Sequence, residues 1–526
     1  MFMLKGMTTA EKECIAAGAD FTSLFKYQFL LSKNPDLRLP GFSIQRLGSD
    51  WTLYSGSALP LTPILDSRQR AVGWVLGAAL HPDGGLIESS LNLAVSNSEK
   101  SFLSKAEGLI EGLAGRYIVM ITSGTKARIY IDPVSALGAV YDPKTRTVAS
   151  TVLLALDRDR EPNPLFDEEL IFAGRGNYTL QHTSDAGLRR LLPNHYLDLS
   201  DFTHCRHWPK EGQEFHIPLE EAPAALEEIR DRLARTMRTL VSARPCVMPI
   251  SAGRDSRNLV AAGRDHLDQV SEFFAFGHHF NSRLDCAVGS LVAEKMGLPY
   301  HIYDVDDFPK TALNGRFKRR VATRDYMIAN GMTGTPPNEV VYGLIRHQPP
   351  GLWHIRGNVM DLMQASHWKN GAITPETHDP EHGIKRLLIT GGSGNSDELS
   401  ERWMPHYLEW YETLGSLKTK PYDMIFNELY LASSQGGKMY GLTHHFYISP
   451  FNDRYLIERA ISLPLQYRIT DRANDDLLAI SAPELSKIPF LRAFQYRAKE
   501  RGGNWYGKTM VRIGERLTRE GGSASQ

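Results

Sequence analysis

The sequence predicts an α+β unit up to about residue 215, then an α/β unit on a parallel sheet with a mostly helical C-terminal part. Short apolar runs in the first part are broken by Gly, Pro, Asn and Asp, as in a strand-rich fold. After residue 245 strand-sized and helix-sized apolar segments alternate with short links, the pattern of a parallel sheet covered on both faces. Between them lies RHWPKEGQEFHIPLEEAP, rich in Pro and charge, which marks a boundary near 215.

In the first unit WTLYSG (51–56), AVGWVLGAAL (71–80), GRYIVMIT (115–122) and ARIYIDP (127–133) have strand length and β-branched or aromatic content. SEKSFLSKAEGLIEGLAG has the i, i+3, i+4 spacing of a helix. EEAPAALEEIRDRLARTMRTLVSA opens the second unit as an amphipathic helix, acids early and arginines late. PCVMPI (245–250) reads as a buried strand, SAGRDSR as a polar turn and NLVAAG as a helix start. SEFFAFG (271–277), the helix DCAVGSLVAEKMG (285–297) and YHIYDV (300–305) follow. Beyond about 310 only GLWHIRG (351–357) reads as a strand, and the terminal GGSASQ reads as frayed.

Composition excludes several classes. The 526 residues carry 60 basic and 60 acidic side chains, without the basic footprint of a nucleic-acid binder. The four cysteines, Cys14, Cys205, Cys246 and Cys286, form no C-x-x-C pair, which argues against a zinc knuckle or a disulfide framework and suits a reducing cytoplasm. No apolar run has the length of a membrane helix, and MFMLKGMTTAEKEC lacks a signal-peptide core. A soluble cytoplasmic protein, with a homodimer as a compatible assembly, is the expectation.

The sharpest chemical signal is PISAGRDSR, Pro249 to Arg257. Ser251, Ala252, Gly253 and Ser256 let backbone approach an anion at a helix start, and Asp255 in such a site implies a cation such as magnesium. Arg254 and Arg257 flank the turn as phosphate clamps or as solvated side chains. The pairs His278-His279 and His444-His445 lack metal-ligand spacing, Asp304, Asp306 and Asp307 read as a solvated turn, and QGGKMYG lacks P-loop spacing.

SAGRDS resembles the S-G-G-x-D-S pyrophosphate loop of the N-type ATP pyrophosphatases. The likeness continues through FAFGHHFNSRLDCAVGSLVAEKMGLPYH, with Asp285 at the family's acidic position. HIRGNVMDL resembles the family's S-G-E-G-x-D-E strand end, with Gly357 and Asp361 retained, and YISPFNDRYLIERAISLP resembles its R-x-P-F-L-D segment. Together these resemble the synthetase domain of the asparagine synthetase family. GLAGRYIVMI, ARIYIDPVSALGAVYD and LRRLLPNHYLDLSDFTHCRHWP resemble that family's glutaminase-type domain at low identity. The resemblance implies an Ntn-hydrolase-like unit over 1–215, an adenine nucleotide α-hydrolase-like unit over 216–515 and a flexible tail over 516–526. It implies ATP and magnesium: Ser251, Ala252, Gly253, Arg254, Asp255, Ser256, Phe276, Gly277 and Gly357 would bind ATP and pyrophosphate, and Asp255 and Asp361 the metal.

The chain departs from the family in both units. A working glutaminase uses an N-terminal cysteine whose own amine is the base; Met1 is followed here by Phe2, and Cys14 lies in a helical pattern. Glutaminase activity is therefore expected to be lost, as in the relatives that make β-lactams. Two family acids read as Asn358 and Leu362, and the family lysine is missing from TDRANDDLLAIS, leaving Arg472 and Lys487 as catalytic candidates. The implied activity is ATP-dependent amide formation between a carboxylate and an amine or ammonia. The alternatives are a nucleotide-binding protein without turnover and a glutamine-hydrolysing asparagine synthase matured to expose Cys14.

Overall fold

A computed structural model describes residues 6–308, 316–369, 378–391 and 397–490. The tail 516–526, the last part of the 216–515 unit and the terminal Met1-Phe2 lie outside the described residues. Before residue 215 two sheets form, of six and seven strands, antiparallel except where Leu61–Leu65 pairs in parallel with Leu91–Asn92 at the edge of the second. Side-chain alternation explains why they stack. In Ala114–Ser123, Ile118 and Met120 point into a core shared with Phe29 and Leu31 of the other sheet, while Tyr117, Val119 and Ile121 point outward to Phe102, Ala106 and Ile110 of the helix Phe102–Glu111. On the opposite outer face Leu30, Tyr54 and Ala149 meet Ala10 and Cys14 of the helix Thr9–Ala17. The layers run helix, sheet, sheet, helix. Thr8 and Glu11 close a capping box at the start of Thr9–Ala17, and Gly18 ends it at φ 63°.

After residue 215 a five-stranded sheet is parallel throughout, in the order Tyr300–Asp304, Glu272–Gly277, Cys246–Pro249, Trp353–Ile355, Phe446–Ile448. The helices Ala222–Ala243, Arg254–Gly263 and Phe280–Lys295 connect or flank its strands. The expectation of a single strand beyond 310 is corrected: Phe446–Ile448 is a second. Three residues between His444-His445 and Ser449-Pro450 are too few to show a period, and only burial between neighbours reveals the strand. The SAGRDSR turn is shorter than expected, because the helix already begins at Arg254.

The two halves meet through buried polar groups as well as apolar ones. Asn452 Nδ2 donates to Gly115 O at 2.7 Å and to Asp132 Oδ1 at 2.8 Å. Arg454 donates to Asn194 Oδ1 at 3.0 Å and Ile131 O at 3.1 Å, and Arg232, paired with Asp453 at 2.6 Å within the second half, donates across to Gly112 O at 3.4 Å. The π-helical run Ile425–Gly437 adds Glu428, which pairs with Arg206 at 2.6 Å. Trp208, Phe215 and Ile217 are buried in the same core as the second unit's helices, so the chain between the sheets is packed rather than slack. Among the described residues no helix is long and apolar enough to cross a membrane.

Candidate functional site

The strand order fixes where a ligand can enter. Cys246–Pro249 lies at the centre; the next two strands add on one side, and Trp353–Ile355 and Phe446–Ile448 add on the other. The connections therefore diverge between Cys246–Pro249 and Trp353–Ile355, which opens a crevice at their carboxyl ends. Those two strands deliver Ser251–Ser256 and Gly357–Asp361.

The first loop is held by its own hydroxyls. Ser256 Oγ accepts from Ser251 N at 3.1 Å and lies 2.9 Å from Ser251 Oγ, and Gly253 N donates to Ser251 Oγ at 3.2 Å. Asp285, on the helix Phe280–Lys295, accepts from Ala252 N at 2.7 Å. No side chain caps Arg254–Gly263 at Gly253, so its first-turn N–H groups face the crevice and can receive an anion.

Asp255 and Asp361 are brought together. A Cβ at Gly357 would lie 2.8 Å from the Asp255 Cβ, so only glycine permits the approach of the second loop. Gln364, three residues after Asp361, donates Nε2 to Asp255 Oδ1 at 3.0 Å. Burial, and then the Asp361 charge, hold the Asp255 carboxyl well above the ordinary carboxylate range; Gln364 and Arg254 only partly oppose this. Burial raises Asp361 too, with the Lys369 ammonium acting in the opposite sense. Both residues are half-buried rather than sealed.

Behind the acids runs a charge network the sequence did not announce. Lys369 pairs with Asp471, whose other oxygen lies 3.4 Å from Arg254 Nη1. Arg254 also donates Nε to Asp475 at 2.6 Å and stacks 4.1 Å above the Phe490 ring. Asp471 stands at φ 65°, a left-handed conformation that Asp tolerates better than most residues. Lys369 is the cation nearest in effect to Asp361. Its only sequence signal was a lysine a few positions after Asp361.

Several candidates are placed elsewhere. Arg472 is exposed, its guanidinium 5.4 Å from the Tyr467 ring, and Lys487 is exposed; neither makes an ion pair among the described residues. Helix geometry turns Arg472 outward, one position after the inward Asp471. Arg257 is no phosphate clamp: it is fully buried and donates to the carbonyls of Ile488 at 2.5 Å and Pro489 at 2.7 Å. Phe276 and Gly277, by contrast, end the strand beside Cys246–Pro249 at the same carboxyl edge; Phe276 is half-buried with its ring 5.1 Å from Phe274, and a Cβ at Gly277 would lie 2.6 Å from Asp304 Oδ2. Asp304 and Asp306 pair with Arg283 at 2.7 and 2.5 Å rather than forming a free acidic turn. His279 caps the helix Phe280–Lys295, and His444 and His445 bond the Gln348 and Pro349 carbonyls.

Asn358 donates to Gln435, and Leu362 is buried, so neither replaces the carboxylate expected at its position. Cys14 is 1% exposed inside the helical layer, and burial pushes its thiol up to about 12, the reverse of an activated nucleophile. No group of three or more His, Cys, Asp or Glu with metal-binding geometry occurs among the described residues. No protein-family model and no curated protein matches the chain.

Proposed function

We propose that the chain is an ATP-dependent carbon–nitrogen ligase of the asparagine synthetase type that activates a carboxylate as its acyl-adenylate and has no glutaminase activity. The observation that carries this reading is the meeting of Asp255 and Asp361 over an uncapped helix start at the switch point of the sheet. Two raised, mutually repelling carboxylates fit a hard divalent cation, and two carboxylates plus phosphate oxygens are a usual magnesium donor set. Asp255 and Asp361 would hold that ion, which when bound neutralises phosphate charge. The first-turn N–H groups of Arg254, Asp255 and Ser256 would receive the β,γ-phosphates. The substrate carboxylate then attacks the α-phosphorus, pyrophosphate leaves, and an amine or ammonia displaces AMP. Lys369 would offset the charge developing there, in place of the lysine missing from TDRANDDLLAIS.

Release of pyrophosphate from ATP with a panel of carboxylates and ammonia tests the reading; formation of ADP and phosphate, or of neither product, counts against it. A second reading, nucleotide binding without turnover, rests on Asn358 and Leu362 standing where the family has acids. It predicts tight ATP binding with no pyrophosphate.

A further inference from the structure

The interface between the halves contains a second feature, unrelated to the acid pair. Arg190, on the strand Arg189–Arg190, is 4% exposed and donates across the interface to Ala432 O, while its Nε has no partner. Lys438 follows the π-helical run Ile425–Gly437, in the QGGKMYG segment. A Cβ at Gly334 would lie 3.4 Å from Lys438 Nζ, so the ammonium rests against the Thr333–Gly334 turn. No carboxylate among the described residues pairs with either cation. Burial lowers Arg190 to about 10 and Lys438 to about 8, Arg190 adding repulsion to the second.

Arg190 lines a small cavity of about 10 Å³ together with Ser135, Thr183, Asn330, Thr333 and Gly437 among others, and Lys438 stands outside that lining, next in the chain after Gly437. Ser135 Oγ and Thr333 Oγ1 are buried without a hydrogen-bond partner, at 0% and 5% residue exposure. The remaining polar groups are committed: Thr183 Oγ1 donates to Asp185 O at 3.0 Å and Asn330 Nδ2 to Gly334 O at 2.9 Å. The cavity therefore presents one guanidinium N–H and two hydroxyls free to donate, beside two positive charges without a counter-charge. A Cβ at Gly436 would lie 2.5 Å from Ser135 O, so the surrounding backbones are already in close contact.

We propose that this cavity binds one monatomic anion of halide size, chloride in ordinary salt, held by Arg190 Nε, Ser135 Oγ and Thr333 Oγ1 and balanced by Lys438. A water molecule would satisfy the hydrogen bonds and leave the buried Arg190 charge unbalanced beside the half-buried Lys438; an anion does both. The volume is that of about one water-sized sphere, which excludes phosphate, sulfate and carboxylates. Ser135 and Arg190 come from the first half and Thr333 and Lys438 from the second, so the ion would tie the halves together. The inference is independent of the ligase reading.

The test is thermal unfolding of the full chain in sodium chloride against sodium gluconate at equal ionic strength, with crystals soaked in sodium bromide. The expected result is a saturable rise of a few degrees in chloride, reduced in Thr333→Val, which exchanges the hydroxyl for a methyl of similar size, and absent in Arg190→Gln. Bromide should give an anomalous peak beside Arg190 Nε. Equal midpoints in the two salts would overturn the proposal. So would a full chloride increment in Thr333→Val, the variant expected to fold normally, or bromide in the crystal with no effect in solution, which is binding at crystal concentration only.

Discussion

At the interface between the halves, Asp132 accepts from Ala136 N at 2.8 Å, Leu137 N at 2.7 Å and Asn452 Nδ2 at 2.8 Å, and Asp453 faces Arg232 at 2.6 Å. At the carboxyl edge of the parallel sheet, Asp255 has one amide, from Gln364, and a neighbouring acid. Both regions bury acids, but one completes their shells from within the chain and the other leaves the charge to be met from outside. Interior acids with complete shells serve cohesion. A buried pair of like charges raises the energy of the folded state, and persists where a ligand restores the balance.

The contrast predicts effects of different kind and size. The largest should come from an acid with a complete shell: Asp423 faces Arg468, both nearly inaccessible, with Arg468 Nη1 at 3.1 Å from Asp423 Oδ2. Asp423→Ala leaves that guanidinium buried and unpaired, so chemical denaturation should show a loss of about 3–5 kcal/mol. At the edge the sign should reverse. Without nucleotide Asp255→Asn removes repulsion and should unfold above the wild-type temperature, while magnesium-dependent ATP affinity falls by roughly a hundredfold or more. Wild-type stability equal to or above that of Asp255→Asn would erase the distinction between the regions.

The pH dependence follows from the same shift. The folded pKa of Asp255 is raised, so the folded chain holds a proton that the unfolded chain releases at lower pH. The penalty is absent below the ordinary carboxylate range and complete above the raised value. The advantage of Asp255→Asn should therefore grow as pH rises through the raised value and shrink as pH falls toward about 4; melting curves of both proteins across the pH range check it. Lys369→Met should slow pyrophosphate release more than it weakens ATP binding, because its partner Asp471 holds it beside the acids rather than at the loop. The smallest effect is expected from Ser256→Ala. Its hydroxyl already serves Ser251, so calorimetry should show ATP affinity lower by about one power of ten.

Much of this contrast could be read along the chain. Alternation gave Trp51–Gly56 and Ala71–Leu80 at their observed limits, and the strand–turn–helix rhythm placed Asp255 and Gly357 at neighbouring strand ends. What escaped depends on partners remote in sequence. Lys369 matters because Asp471, 102 residues later, holds it, and nothing local marks either residue. Arg257 read as either a phosphate clamp or a solvated side chain, and the carbonyls at 488 and 489 make it neither. Arg190 and Lys438 acquire meaning only when the two halves pack, since their shared feature is the carboxylate that neither one finds among the described residues.

The most direct test of the central claim is calorimetry of ATP binding, with and without magnesium, to the wild type, Asp255→Asn, Asp361→Asn and the double variant. Both carboxylates acting on one ion predicts that each single change removes most of the magnesium-dependent affinity and that the double variant loses less than the sum of the two. Additive losses, or ATP affinity indifferent to both substitutions, would show that the acids do not share an ion and that the nucleotide site has been placed wrongly.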